Sequence, residues 1–212
     1  LNYAENILAK MNDERPMMLY KAENEPLVEV SWQEIHDKVN LVAQALRELG
    51  VQRGDRVVAY MPNIPETIVA VLAATSLGAI WSSCSPDFGS RSVLDRFIQI
   101  EPKVLIAQDG FVHAGKTVDR TEVLAQINAG LPSVAQFVTL PVVGHLPEGH
   151  LAWDDLTGDD VAFDPVPVPF EHPLWIVYSS GTTGNPKPIV HGHGGVILES
   201  CNASLHKDVS SK

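Results

Sequence analysis

The chain is poor in cysteine, in lysine and arginine, and in long apolar runs, and each shortage removes a class of protein. Two cysteines, Cys84 and Cys201, among 212 residues make no disulfide framework and carry no Cys-x-x-Cys spacing. A reducing, cytoplasmic setting is therefore expected, with each thiol a small buried apolar group. Fifteen Lys and Arg against 26 Asp and Glu leave a formal charge of −11, and the basic residues form no cluster. That balance argues against nucleic acid or an anionic membrane surface as partner; a bound polyanion must be held by local donors. The most apolar window, Ile68 to Leu77 with its flanks, is too short to span a bilayer and is interrupted by Thr75 and Ser76. No signal peptide, zinc spacing, internal repeat, dinucleotide fingerprint or supported Ser-His-Asp arrangement is visible, so no metal ligand or catalytic residue is assigned.

With 45% hydrophobic residues the chain can bury a core, and the apolar spacing shows how. Residues 1–30 form an opening segment, expected as a short helix and a hairpin around turn signals such as Glu23-Asn24-Glu25-Pro26. Residues 31–140 are expected to be an α/β core. Ser31 and Glu34 make a capping box ahead of Trp32, Ile35, Val39, Val42, Leu46 and Leu49, which recur at threes and fours until Gly50 ends the helix. Arg56 to Met61 is a buried strand. A helix with Pro65 in its first turn follows, apolar all round from Thr67 to Leu77 and so expected to pack on every side, and Ala79 to Ser83 is the next strand. A helix from Ser90 to Ile100 should bury Val93, Leu94, Phe97 and Ile98. Then come a strand from Lys103 to Ala107, a helix from Thr117 to Ala129 with Arg120 and Glu122 toward water, and a strand from Gln136 to Leu140. Strands alternating with helices ask for right-handed crossovers, so the fold class is α/β, a largely parallel sheet flanked by helices. Residues 141–170, rich in Pro, Gly and Asp, form an extended, solvated connection. Asp154-Asp155 and Asp159-Asp160 lack the spacing of a calcium loop.

Residues 171–212 carry the chemistry. An apolar run from Leu174 to Tyr178 gives way to small hydroxylated and glycine residues, then Lys187, then a second apolar run from Pro188 to Val190: a strand, a loop and a strand. Gly181 and Gly184 free the loop to turn successive N–H groups inward, Ser179, Ser180, Thr182 and Thr183 add hydroxyl donors, and Lys187 adds a point charge. The natural guest is a polyphosphate. A Walker A loop needs four residues between its glycines and then Gly-Lys-Ser/Thr opening a helix, whereas here Gly181-x-x-Gly184-x-x-Lys187 is followed by Pro188. Loose packing of these glycines predicts a mobile loop between Ser180 and Pro186. A helix from Gly195 to His206 should follow, resting on Val196, Ile197, Leu198 and Leu205, with Lys207 to Lys212 frayed. His191 and His193 flank Gly192 with no further ligand nearby, which favours a structural or substrate-proximal role over a metal.

The stretch resembles the Ser-Gly-Thr-Thr-Gly-x-Pro-Lys signature of the adenylate-forming superfamily, in which this loop holds the β- and γ-phosphates of ATP. On that resemblance Ser179, Ser180, Gly181, Thr182, Thr183, Gly184 and Lys187 are the expected nucleotide contacts. His191 and the Gly194-Gly195 pair resemble the branch that activates short acids, and Ile189 to Gly195, like Trp81 to Gly89, is most similar in wording to members that activate acetoacetate. The resemblance implies an acid–CoA ligase using ATP, Mg²⁺ and CoA on a small carboxylate, with an acyl-adenylate intermediate. Alternatives are a ligase for acetate, propionate or butyrate, and a nucleotide-binding fold without turnover. Asp87, between Pro86 and Phe88, is a site candidate, but turn or helix-cap duty is the commoner role for such an aspartate. Phe111 to Lys116 occupies the place of an Arg-Gly-Gly-Lys segment that contacts CoA in relatives. Gly115 and Lys116 alone survive, which weakens that contact, and His113 is expected at the surface. The opening Leu-Asn-Tyr-Ala-Glu-Asn resembles the interior of such an enzyme, so a piece of a longer large domain is expected; nothing in the chain sets an oligomeric state.

Overall fold

The computed structural model describes the chain except residues 13, 24, 145, 157, 159–161, 180–183 and 210–212 and the side chains of 203–209. In order, the elements are α1 (Tyr3–Leu8), β1 (Met18–Tyr20), β2 (Val28–Val30), α2 (Trp32–Glu48), β3 (Arg56–Tyr60), α3 (Pro65–Ser76) and β4 (Ile80–Cys84). There follow α4 (Ser90–Phe97), running into a 3₁₀ turn (Ile98–Ile100), β5 (Val104–Gln108), β6 (Gly110–His113), β7 (Lys116–Asp119) and α5 (Thr121–Gly130). The last are β8 (Gln136–Leu140), β9 (Leu151–Ala152), β10 (Pro173–Ser179), β11 (Lys187–Gly192) and α6 (His193–Val209).

Among the described residues the main sheet has seven strands in the order β11-β10-β4-β3-β5-β8-β9. The β10–β11 pair is antiparallel and every other neighbouring pair is parallel. The centre of the sheet is built from strands without polar alternation: Arg-Val-Val-Ala-Tyr in β3 and Val-Leu-Ile-Ala-Gln in β5 are buried almost throughout. Such runs suit a parallel sheet covered on both faces. Val57, Ala59, Val104 and Ile106 pack under α1, α2 and α3 on one side. Val58, Tyr60, Leu105 and Ala107 pack under α4 and α5 on the other. The expected α/β class is what the structure shows.

Several local expectations need correction. The Ser31 hydroxyl accepts from Glu34 N at 3.1 Å, but the Glu34 carboxylate pairs with Lys38 at 2.8 Å instead of closing the box. Helix α3 does not pack on every side: Ile68 is 39% exposed, because this stripe borders a cleft. Ile98 leaves the buried face of α4 and is 54% exposed, since the 3₁₀ turn advances each residue by more than the α-helical angle. Thr117 to Asp119 form a strand and not the start of a helix. Ala114 and Gly115 both take positive φ (51° and 72°), giving a two-residue turn that pairs His113 with Lys116, and β-branched Thr117 and Val118 suit the return strand. Arg120 is half-buried, with its guanidinium over the Phe111 ring at 5.3 Å. Leu198 is exposed, and α6 continues through Val209 where fraying was expected.

One buried side chain makes several of the bonds that tie down the opening segment. Asn2 Oδ1 accepts from Ala4 N (2.9 Å) and Glu5 N (3.4 Å), capping α1. Its Nδ2 faces the carbonyls of Thr75, Ser76 and Val166 at 3.1, 3.0 and 2.9 Å. One amide thus joins α1, the end of α3 and the Pro-rich connection. Asn2→Ala is expected to lower stability by roughly 2–4 kcal/mol in urea unfolding, because it orphans buried donors and acceptors together. Asn2→Asp should cost at least as much, since it turns a carboxylate toward carbonyl oxygens.

Candidate functional site

Strand β10 joins the sheet beside β4, and β11 folds back along its outer side with Ser179 opposite Lys187 and Val177 opposite Ile189. The Ser179–Lys187 end of this hairpin lies at the carboxyl ends of the parallel strands, level with the ends of β3 and β4 at Tyr60 and Cys84. Parallel sheets bind ligands at that edge. Of the seven expected nucleotide contacts, Ser179 closes β10, Lys187 opens β11, and Gly184 lies between them with φ +150°, a value that favours glycine. Open space surrounds the position a Cβ on Gly184 would take. Ser180, Gly181, Thr182 and Thr183 lie outside the described residues, as does most of the stretch expected to be mobile. Lys187 is exposed, and none of the ion pairs among the described residues involves it. An exposed cation beside a glycine-bearing loop fits a polyphosphate.

Below the hairpin the sheet opens. Among the described residues β4 and β10 share one register point, Trp81 beside Trp175, and the Ser82 hydroxyl donates to the Ile176 carbonyl at 2.7 Å. Beyond it lies a cleft of about 420 Å³ lined by Ser83, Cys84 and Ser85 on one side, Val177 and Tyr178 on the other, and Ile68, Phe88 and Arg96. The Arg96 guanidinium lies 4.9 Å from the Phe88 ring centroid and 5.9 Å from that of Tyr178. The Tyr178 hydroxyl donates to the Arg96 carbonyl at 2.8 Å, and burial pushes that phenol up to about 12, so it stays a donor.

The loop after β4 is held from beneath. Tyr60, fully buried, offers one hydroxyl proton to two carbonyls, Pro86 at 2.7 Å and Phe88 at 2.8 Å, and burial raises its pKa to about 12. Asp87 sits in the turn closed by Phe88 N to Ser85 O at 3.1 Å. It is not the helix cap, which is Gly89 without a side-chain cap bond. Asp87 is exposed and borders a second cleft of about 430 Å³ with Asn63, Phe111 and exposed His113. Burial pushes the Cys84 thiol up to about 12, which leaves it protonated and poorly nucleophilic at neutral pH. Cys201 is exposed on α6, contrary to expectation.

The two histidines diverge. His191 is exposed opposite Trp175, whereas His193 is fully buried and its Nδ1 accepts from Tyr3 N at 3.1 Å. His193 is therefore a second cap for α1, and its neighbour Gly194 sits where a Cβ would fall 2.2 Å from the Phe170 ring. Tyr60, Arg96, Gln99 and Tyr178 escaped the sequence reading. Each is an isolated polar or aromatic residue in an apolar pattern, and its partner lies far along the chain.

Burial, then His172 and the amino terminus, lower the His193 pKa from 6.5 to about 4. Between those values the unfolded chain takes up a proton that the folded chain refuses. Stability is therefore fully present above about pH 6.5 and falls as the pH drops toward 4, by up to about 1.4 kcal/mol per pH unit from this group. Denaturant unfolding between pH 7 and 4 should show that slope, and His193→Gln should flatten it relative to the parent chain.

The geometry finds close counterparts in known proteins. A family model described as "AMP-binding enzyme" matches residues 8–211. The acetoacetyl-CoA synthetase of Macaca fascicularis is 40% identical over 226 residues, covering 100% of this chain and 34% of its own length. The acetoacetyl-coenzyme A synthetase of Rhizobium meliloti is 43% identical over 208 residues, covering 94% and 31% respectively. A solved structure of acetoacetyl-CoA synthetase from Streptomyces lividans superposes with a TM-score of 0.90 at 46% identity, over 94% of this chain and 31% of that one. The chain thus spans about a third of the length of the relatives it matches. With a largely parallel α/β sheet, a glycine-bearing hairpin at its carboxyl edge and a family match along nearly its whole length, the chain belongs to the AMP-binding enzyme family.

Proposed function

We propose that this chain is the first part of the large domain of an AMP-forming acid–CoA ligase that activates acetoacetate, and that its β10–β11 hairpin holds the phosphates of ATP. The reading rests on one observation: Ser179, Gly184 and Lys187 stand together at the carboxyl edge of a parallel sheet, beside a cleft. The hairpin brings the two strand-end donors opposite each other, so a polyphosphate bridging the loop would meet a hydroxyl on one side and an ammonium on the other. In the adenylation step a carboxylate attacks the α-phosphorus and pyrophosphate leaves. Donors held around the β- and γ-phosphates before the reaction stabilise charge as it develops there. Mg²⁺ bound with ATP would neutralise further charge on the same oxygens. Ser180, Gly181, Thr182 and Thr183 belong to this proposed set, and CoA would accept the acyl group in the second step. The β6–β7 hairpin keeps Gly115 and Lys116 alone of the pattern expected for a CoA contact, and none is assigned to it.

The division into an opening segment (1–30), α/β core (31–140), connection (141–170) and phosphate-loop segment (171–212) is part of the same proposal. So is a cytoplasmic location, supported by cysteine usage. No helix among the described residues is long and apolar enough to cross a membrane.

Alone, the chain supplies donors for one end of the nucleotide, so it should bind polyphosphate weakly, with Kd on the order of millimolar, and without turnover. Calorimetric or NMR titration should show Lys187→Ala weakening ATP and pyrophosphate binding about three- to tenfold while leaving AMP unchanged. Equal pyrophosphate binding by the variant would remove the phosphate assignment. Acid preference is decided by pyrophosphate release from the protein that carries this chain, assayed with acetate, propionate, butyrate and acetoacetate. Acetoacetate should be preferred, and clear preference for acetate or propionate would replace it with another short-chain ligase.

A further inference from the structure

The end of α4 touches both arms of the hairpin immediately outside the phosphate loop. On the incoming arm, Tyr178 precedes Ser179 and donates its hydroxyl to the Arg96 carbonyl at 2.8 Å. On the returning arm, Pro186 precedes Lys187, and its carbonyl accepts from Gln99 Nε2 at 2.9 Å. The same Gln99 nitrogen donates to the Asp95 carbonyl, one helical turn back, at 2.6 Å. Both partners are acceptors, so they fix which end of the amide is nitrogen, and its two protons serve one carbonyl each. Pro186 has no N–H, so its carbonyl is the backbone polar group by which this corner can be anchored. Gln99 also donates to a carbonyl in the last turn of α4, where intrahelical partners run out.

We propose that Gln99 is a positioning residue for Lys187: through the Pro186 carbonyl it sets where Lys187 enters β11, with Tyr178 fixing the opposite arm. This rests on the reading of the hairpin as a polyphosphate site. The effect is one of pre-organisation. A lysine is a point charge on a flexible stem, so its contribution to binding depends on where its backbone is held. Loss of one exposed hydrogen bond at that point should cost about three- to tenfold in affinity for polyphosphate. Ligands that do not reach Lys187 should be indifferent to it.

The test is a double-mutant cycle on the chain, read as pyrophosphate and AMP affinity by calorimetry together with the unfolding midpoint. Gln99→Met keeps length and neutrality but removes both donors. It should weaken pyrophosphate binding three- to tenfold, leave AMP binding and the unfolding midpoint unchanged, and have no effect in a Lys187→Ala background. Tyr178→Phe should act in the same direction. If Lys187→Ala weakens pyrophosphate binding but Gln99→Met does not, the positioning role is wrong and the phosphate site stands. If Gln99→Met acts equally with and without Lys187, or lowers AMP binding and the midpoint as well, its role is structural and the proposal fails. If neither variant alters pyrophosphate binding, the phosphate site itself is wrong and the positioning role falls with it.

Discussion

Everything at the proposed site depends on how β10 is held against β4. The residues that pair lie 94 positions apart in sequence, and among the described residues their union is narrow: the pairing of Trp81 with Trp175 and the hydroxyl of Ser82 on the Ile176 carbonyl. A side chain here does the work of a ladder bond. That substitution lets the strands join firmly at one level and part at the next, so a closed sheet and an open cleft can share the same two strands. The T-shaped contact of Tyr3 with Trp175 (5.5 Å) braces the junction from the α1 side. A continuous ladder would have sealed the cleft, and no contact at all would have released the hairpin.

The electrostatic setting follows from the same economy. A chain of net charge −11 is a poor general attractor of polyphosphate, so attraction has to be local. Lys187 stands clear of the ion pairs among the described residues, and the Arg96 guanidinium lies between aromatic faces. An aromatic partner leaves a guanidinium its full charge, whereas a carboxylate would neutralise it. Three nearby groups, Tyr60, Tyr178 and Cys84, keep their protons because burial disfavours their anions. Anionic walls would repel the ligand; protonated ones do not.

Much of this was legible in the chain, for reasons that can be named. Strands β3, β5 and β8 follow from apolar runs bounded by turns, α2 from its three-and-four spacing and Ser31 cap, and the hairpin from an abrupt change of residue type at Ser179. What escaped depended on distance. The β6–β7 hairpin hid because Ala114 adopts a left-handed conformation that its identity does not announce. Exposure of Ile68 follows from the parting of β4 and β10, which no local pattern encodes. The roles of Gln99, Tyr60 and Asn2 are hydrogen bonds to backbone carbonyls, and any residue can offer a carbonyl. His193 could be noticed as one of a close pair, but that it faces Tyr3 across 190 positions could not.

The double capping of α1 has a consequence for the order in which the molecule comes together. The helix has six residues, too few to persist in water by themselves. Its stabilising partners are Thr75 and Ser76, then Val166, and finally His193. Docking of α1 must therefore wait for partners as distant as His193, while β3, α3 and β4 can assemble without it. The short helix is among the last elements to find its place, a clasp fastened once the connection and the start of α6 are folded against it.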